Sequence, residues 1–182
     1  HNYNISPNGR WAFHNFSSFG KAPIFDFINL TNKTVVRNVV DNAQLQATLD
    51  KLKKGPMEFF KVDVGEGVTL DGWMMKPPNF DPKKKYPLLM YVYSEPAAQT
   101  VVDSYDGEGY LWHLMLSQQG YIVASVDNRG TPAPKGRAWR KSFYLKSGVI
   151  NSGDQANAVK TMIAKMPFID AKRVGSWGWS GG

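Results

Sequence analysis

The fold is decided by the stretch Val174-Gly175-Ser176-Trp177-Gly178-Trp179-Ser180-Gly181-Gly182. Its first residues are typical of a buried strand, and they run directly into a Gly-x-Ser-x-Gly motif. In a nucleophile elbow this motif makes a sharp turn from strand to helix, which holds the serine in a strained backbone conformation. The pentapeptide alone is weak, because a chain of this composition contains it by chance about 0.1 times. Its position after a strand makes it informative.

Upstream of the motif, apolar strands alternate with helices. Residues 88–93 and 121–126 are continuously apolar, which is typical of a parallel sheet covered on both faces. Between them the sequence predicts a helix over 109–119, closed by Gly120 at the C′ position. This alternation predicts an α/β fold.

Another helix is predicted immediately before the last strand. Ser152 and Gln155 have the spacing of a capping box. Apolar residues at helical spacing follow as far as Met166, and Pro167 ends the helix. The motif therefore sits where the strand after a helix should end.

The first part of the chain has a different pattern. Residues 1–42 are predicted to form short strands separated by turns, and residues 44–54 a short helix or connector. A hairpin is predicted over 60–73, turning at Gly65-Glu66-Gly67. We place a domain boundary within the connector, which gives domains 1–47 and 48–182.

Composition excludes several classes of protein. Hydrophobic residues make up 42% and charged residues 20%, as in ordinary globular proteins, and the absence of cysteine excludes thiolate catalysis and disulfides. The net charge of +7 is dispersed, so we expect no nucleic-acid partner. No stretch is long and apolar enough to predict a membrane segment, and no residue pattern indicates a metal or a cofactor.

The sequence resembles the prolyl oligopeptidase family of serine peptidases, specifically its dipeptidyl peptidase IV branch. The similar segments cover nearly the whole chain; they are residues 5–18, 87–96, 121–131, 148–155 and 166–182. The resemblance implies the last strands of a β-propeller in residues 1–47. It implies the N-terminal portion of an α/β-hydrolase catalytic domain in residues 48–182, truncated after the catalytic serine motif. It also weakly favours a periplasmic or secreted location.

Three site residues follow from the resemblance. It implies that Ser180 is the catalytic nucleophile, and that the Gly181 backbone N–H and the Tyr93 hydroxyl form the oxyanion hole. From the residues alone, the favoured interpretation of Tyr93 is a core aromatic at the end of a strand. His113 is interpreted as a packed or surface histidine of a helix rather than as the catalytic base.

The catalytic acid and base of this fold follow the serine in the chain. Residues 1–182 are therefore expected to be a fragment that is inactive alone. The intact protein is expected to be a dipeptidyl peptidase that releases Xaa-Pro or Xaa-Ala dipeptides from peptide substrates through an acyl-enzyme, with a homodimer allowed by the resemblance.

Alternative functions remain open. Gly181 stands where the branch usually has a tyrosine that helps form the proline pocket. An acylaminoacyl peptidase or a carboxylesterase on the same fold is therefore the first alternative. A non-catalytic homologue that acts as a binding protein is the second, and the presence of Ser180 counts against it.

Overall fold

A computed structural model describes residues 1–182. In chain order, the elements are β1 (Asn2–Ile5), β2 (Trp11–Ser18), β3 (Lys21–Asn29), β4 (Thr34–Val40), α1 (Ala43–Asp50), β5 (Met57–Asp63), β6 (Thr69–Met75), β7 (Tyr86–Val92), α2 (Glu108–Gln118), β8 (Ile122–Asp127), α3 (Gly136–Lys141), α4 (Ile150–Lys165) and β9 (Ile169–Gly178). None of the helices has both the length and the apolar character needed to cross a bilayer. The chain divides into two compact units, one formed by His1–Lys53 with Val102–Leu111 and the other by Lys54–Val101 with Trp112–Gly182.

The first unit is built on an antiparallel sheet of four strands in the order β1-β2-β3-β4. Aromatic residues stabilise its central pair of strands: Phe13 lies opposite Phe27, with ring centroids 5.5 Å apart. The side chain of Gln46 on α1 accepts a hydrogen bond of 2.9 Å from the backbone N–H of Ala22 on β3. The helix is thereby joined to the sheet.

The second unit contains a mixed sheet of five strands in the order β5-β6-β8-β7-β9. Strands β5 and β6 form the predicted hairpin, and β6 pairs antiparallel with β8. Strand β7 pairs in parallel with both β8 and β9. The predicted α/β class is therefore confirmed in a mixed form, with one antiparallel and one mixed sheet.

The core of the second unit is centred on β8, whose six residues are all buried. The surrounding buried side chains come from the neighbouring strands and from α4; the main cluster consists of Val62, Leu70, Met74, Leu88, Met90, Ile122, Ala124, Val126, Ala158, Met162 and Ile169. Gly120 ends α2 with a φ of 93°, as predicted for a C′ glycine. The continuous apolar run of β8 thus corresponds to a strand covered on both faces.

The predicted capping box of α4 is wrong. The helix begins at Ile150 with Val149 as N-cap, so Ser152 lies inside the first turn, where its hydroxyl donates to the carbonyls of Gly148 and Val149. Gln155 faces the sheet instead, and its Nε2 donates to the Val126 carbonyl at 3.0 Å. Gln155 therefore forms a tertiary hydrogen bond with β8 and is not available for the predicted capping box.

The last strand is less covered than its sequence predicts. Strand β9 pairs only with β7 and forms one edge of the sheet, and residues 171–176 are exposed. Val174, expected in the interior, retains 37% of its accessible surface. The prediction of a buried strand is therefore not met within residues 1–182, where β9 has one neighbouring strand and residues 171–176 stay accessible.

Candidate active site

The Gly-x-Ser-x-Gly motif forms a tight turn directly after β9. The backbone N–H of Gly182 donates to the carbonyl of Trp179 at 3.1 Å, which closes a four-residue turn. Ser180 has a φ of 57°, whereas Gly181 has no positive φ. A positive φ at the first central residue alone is typical of a type II′ turn, where glycine is preferred. An exposed serine in this position is strained.

The glycines of the motif allow a close approach between backbones. A Cβ atom on Gly178 would lie 2.4 Å from the Val92 carbonyl oxygen, and one on Gly182 would lie 2.1 Å from the same oxygen. Neither contact is tolerable, and in both cases the obstacle is backbone. The glycines are therefore required for the turn to lie against the end of β7.

Strand β7 brings Tyr93 to the same edge of the sheet as the turn. In the parallel register Val92 lies beside Gly178, so Tyr93 and Trp179 are the first residues beyond the two paired strands. Adjacent strands lie about 4.8 Å apart. The structure thus brings together the backbones of the three predicted site residues, Tyr93, Ser180 and Gly181. Their catalytic roles remain predictions.

Gly181 is covered by a carboxylate side chain. A Cβ atom added to Gly181 would lie 2.1 Å from Cγ of Glu95 and 2.7 Å from its Oε1. Glu95 therefore packs directly on the glycine. A tyrosine at position 181 would therefore have to displace the Glu95 side chain.

A serine that follows Tyr93 is bonded to the turn. Ser94, only 6% exposed, donates to the Gly181 carbonyl both from its backbone N–H at 3.1 Å and from its Oγ at 2.6 Å. The Oγ also accepts a hydrogen bond of 3.0 Å from Asn151 Nδ2 of α4. No pattern in the sequence points to Ser94 or Asn151, because neither belongs to a recognised motif.

The loop after β7 has a second anchor at its far end. Asp127, buried at the end of β8, accepts hydrogen bonds from the backbone N–H of Thr100 at 2.8 Å and of Val101 at 3.3 Å. The indole N–H of Trp73 donates to the Thr100 carbonyl at 2.9 Å. The segment that contains Tyr93 is therefore attached to the sheet at both ends.

Asp154 of α4 forms an ion pair at the end of β8. Its carboxylate accepts a backbone hydrogen bond and side-chain hydrogen bonds from Arg129, the shortest of them 2.8 Å from Nη2. The hydrogen bond with Asp154 raises the pKa of Arg129 above its usual value, and burial opposes this only in part. Asp127 and Asp154 thus each accept hydrogen bonds from a loop residue, Asp127 from the loop after β7 and Asp154 from the loop after β8.

His113 is packed among aromatic rings in the interior. It is 3% exposed, and its ring lies 5.0 Å from Trp73, 5.1 Å from Tyr91 and 5.7 Å from Trp177, measured between centroids. Its Nε2 is buried without a hydrogen-bond partner. Burial lowers the pKa of His113 to about 4. These surroundings match the interpretation of His113 as a packed histidine of a helix.

A cavity of about 820 Å³ opens beside the turn. Its walls include polar atoms of the network and the backbone of the motif, among them Ser94, Asn151, Gln155, Gly178, Gly181 and Gly182. A cavity of this size is in the range that holds small ligands and peptide side chains. No three His, Asp or Glu side chains lie together as a metal ion would require.

The comparisons with known proteins agree on one class. Residues 110–182 match the prolyl oligopeptidase family. The chain belongs to this family, whose members are serine peptidases.

Several of the similar proteins are named dipeptidyl peptidases. The chain is 34% identical over 154 residues to the "Probable dipeptidyl peptidase 4" of Aspergillus flavus, covering 84% of this chain and 20% of that protein. It is 39% identical over 147 residues to the human "Prolyl endopeptidase FAP", covering 81% and 19%. The crystal structure of Porphyromonas gingivalis dipeptidyl peptidase 4 superposes with a TM-score of 0.91 at 35% identity, covering 99% of this chain and 25% of that one. The chain therefore spans about a fifth to a quarter of the length of these relatives.

Proposed function

We propose that the turn Trp179–Gly182 and Tyr93 form the acylation part of a serine peptidase active site in the whole protein. The strained, exposed Ser180 beside the end of β7 carries this proposal. A strained backbone at an exposed serine costs stability, and a functional role is one explanation for that cost. Acyl transfer is such a role, because the nucleophile must project from the sheet toward the substrate.

The chemistry of the proposed step is ordinary acyl transfer. Ser180 Oγ gives its proton to a general base and forms a bond with the scissile carbonyl carbon. The Gly181 N–H and the Tyr93 hydroxyl donate to the oxyanion, after which the C–N bond breaks and the amine leaves with a proton. Water then hydrolyses the ester and releases the enzyme. The base and its orienting carboxylate belong to other parts of the whole protein.

The substrate class that we propose is a peptide with a free N-terminus, cleaved after a second residue that is proline or alanine. The names of the dipeptidyl peptidase relatives support this assignment. Gly181 and the packed Glu95 support an alternative, in which the enzyme is an acylaminoacyl peptidase or a carboxylesterase. In either case we propose that the protein acts outside the cytoplasm.

The same comparisons support a finer description of the two units. We propose that residues 1–47 are the last strands of a β-propeller, whose blades are four-stranded antiparallel sheets like β1–β4. We propose that residues 48–182 are the first part of an α/β-hydrolase domain. The superposition on a dipeptidyl peptidase 4 over 99% of the chain supports both.

A binding protein without catalysis is the competing class. In such a homologue the orienting carboxylate or the histidine that normally follows the serine would be missing. The sequence of the whole protein decides this, because both residues at family spacing favour the peptidase and the loss of either favours the binding protein.

The direct test is covalent labelling. The whole protein should react with a fluorophosphonate probe at Ser180, and S180A should not react. S176A is the matched control, because Ser176 lies on the same strand outside the turn, and it should react like the wild type. Equal labelling of wild type and S180A would remove Ser180 from the mechanism, and an unreactive wild type would favour the binding protein.

A further inference from the structure

The turn that holds Ser180 has one carbonyl that is fixed from outside the turn. The oxygen of Gly181 accepts both the backbone N–H and the hydroxyl of Ser94, at 3.1 and 2.6 Å. These atoms are separated by 87 residues in sequence. Two donors from one residue fix both the position and the orientation of a peptide group, so Ser94 sets the plane of the peptide that follows Gly181.

The direction of the Ser94 proton is set by Asn151. A serine hydroxyl has one proton to donate, and an amide nitrogen can only donate. Because Asn151 Nδ2 donates to Ser94 Oγ at 3.0 Å, the serine proton is left for the Gly181 carbonyl. The chain Asn151, Ser94, Gly181 is therefore a directed relay of two hydrogen bonds.

The carbonyl of Ser94 has its own partner on a third element. Asn128, buried after β8, donates to it from Nδ2 at 3.3 Å, and Gln155 donates to the Oδ1 of Asn128 at 3.2 Å. All the polar atoms of Ser94 are thus occupied. Ser94 follows Tyr93 directly in the chain. Through its hydrogen bonds, Ser94 therefore connects the loop after β7, which contains Tyr93, with the Ser180 turn and with the end of β8.

The amide of Asn151 gains little stability from this arrangement. Its Oδ1 is buried without a hydrogen-bond partner, which costs about 1–3 kcal/mol. A typical hydrogen bond such as the one to Ser94 contributes about 1 kcal/mol. The hydrogen bond to Ser94 is thus the contact that orients the Asn151 amide.

We propose that Ser94 and Asn151 are positioning residues, which hold the Ser180 turn against the Tyr93 loop so that the Gly181 N–H and the Tyr93 hydroxyl converge on one oxyanion. This inference rests on the proposed function. The relay acts on the turn and touches no reacting atom. Its loss should therefore lower the rate of acylation while leaving substrate binding nearly unchanged.

The test measures the rate of fluorophosphonate labelling, and kcat and KM on a dipeptide nitroanilide, in the whole protein. S94A keeps one of the two bonds to Gly181 and should reduce labelling and kcat about tenfold with little change in KM, as loss of one hydrogen bond predicts. S94T retains the hydroxyl and should restore most of the rate. N151A should reduce the rate severalfold without lowering the melting temperature appreciably.

Two comparisons make the test specific. The double variant S94A/N151A should be no slower than S94A, because Asn151 acts only through the serine hydroxyl. S152A is the matched control, since the Ser152 hydroxyl donates only to the carbonyls of Gly148 and Val149 just before α4, and it should behave like the wild type.

The outcomes separate the two proposals. If the wild type is labelled while N151A and S94A react at the same rate as the wild type, the relay is refuted and the proposed function stands. Independent, multiplying effects of the two substitutions would also refute the relay. If S94A does not fold, the labelling rate of N151A is the test. A severalfold lower rate than that of the wild type supports the relay, and an unchanged rate refutes it. A wild type that is not labelled would overturn the proposed function and the relay together.

Discussion

Relief of the backbone strain at Ser180 should stabilise the protein while abolishing the proposed activity. A φ of 57° is costly for any residue with a Cβ atom and free for glycine. S180A keeps the Cβ atom and the strain, whereas S180G removes both. Comparing these two variants isolates the backbone term, because neither has the hydroxyl.

The size of the effect follows from two opposing contributions. The left-handed conformation costs about 1–2 kcal/mol for a residue other than glycine. Glycine loses about 0.5–1 kcal/mol through the greater entropy of its unfolded chain. The midpoints of these two ranges make S180G more stable than S180A by about 0.75 kcal/mol. For a chain of 150–250 residues, that corresponds to a Tm roughly 1.5–3 °C higher.

The assay is thermal unfolding of both variants, followed by calorimetry under identical conditions. Ser176 provides the control pair. It lies within β9, where φ is not positive, so S176G should be less stable than S176A by about 0.5–1 kcal/mol. The sign of the glycine effect should thus reverse within four residues. An S180G variant no more stable than S180A would refute the claim that the turn is strained.

The remaining predictions concern Tyr93 and His113. Y93F should lower kcat of the whole protein about 10²-fold with little change in KM, as for loss of one oxyanion donor, and an unchanged kcat would assign the tyrosine to packing. Because burial lowers the pKa of His113 from 6.5 to about 4, the unfolded chain binds its proton at higher pH than the folded chain. Stability should therefore fall between pH 6.5 and 4, by up to about 3 kcal/mol. In urea unfolding H113F should show a weaker pH dependence over this range, and identical slopes would exclude His113 as the cause.

Several features of the fold are local and were predicted correctly. Helix α2 with Gly120 at its C′ position, the hairpin of β5 and β6, and the buried strand β8 each depend on patterns within about ten residues. The serine turn is of the same kind. Glycine is required at positions 178 and 182 because any Cβ atom there would clash with backbone, and both glycines are part of the motif that the sequence shows.

Other features depend on residues that are distant in sequence. Gln155 bonds to the end of β8 instead of capping its own helix, and Ser94 and Asn151 meet at the turn only because β7 lies between β8 and β9. The order of strands in a sheet is decided by packing, which a local pattern does not encode.

By itself, then, the sequence determined the α/β class, the family and the serine turn, since each is written in short patterns of glycine, apolar and turn residues. The tertiary structure alone decided which polar side chains support that turn. Hydrogen bonds across 87 residues exist only when the sheet has formed and its strand ends meet at one edge.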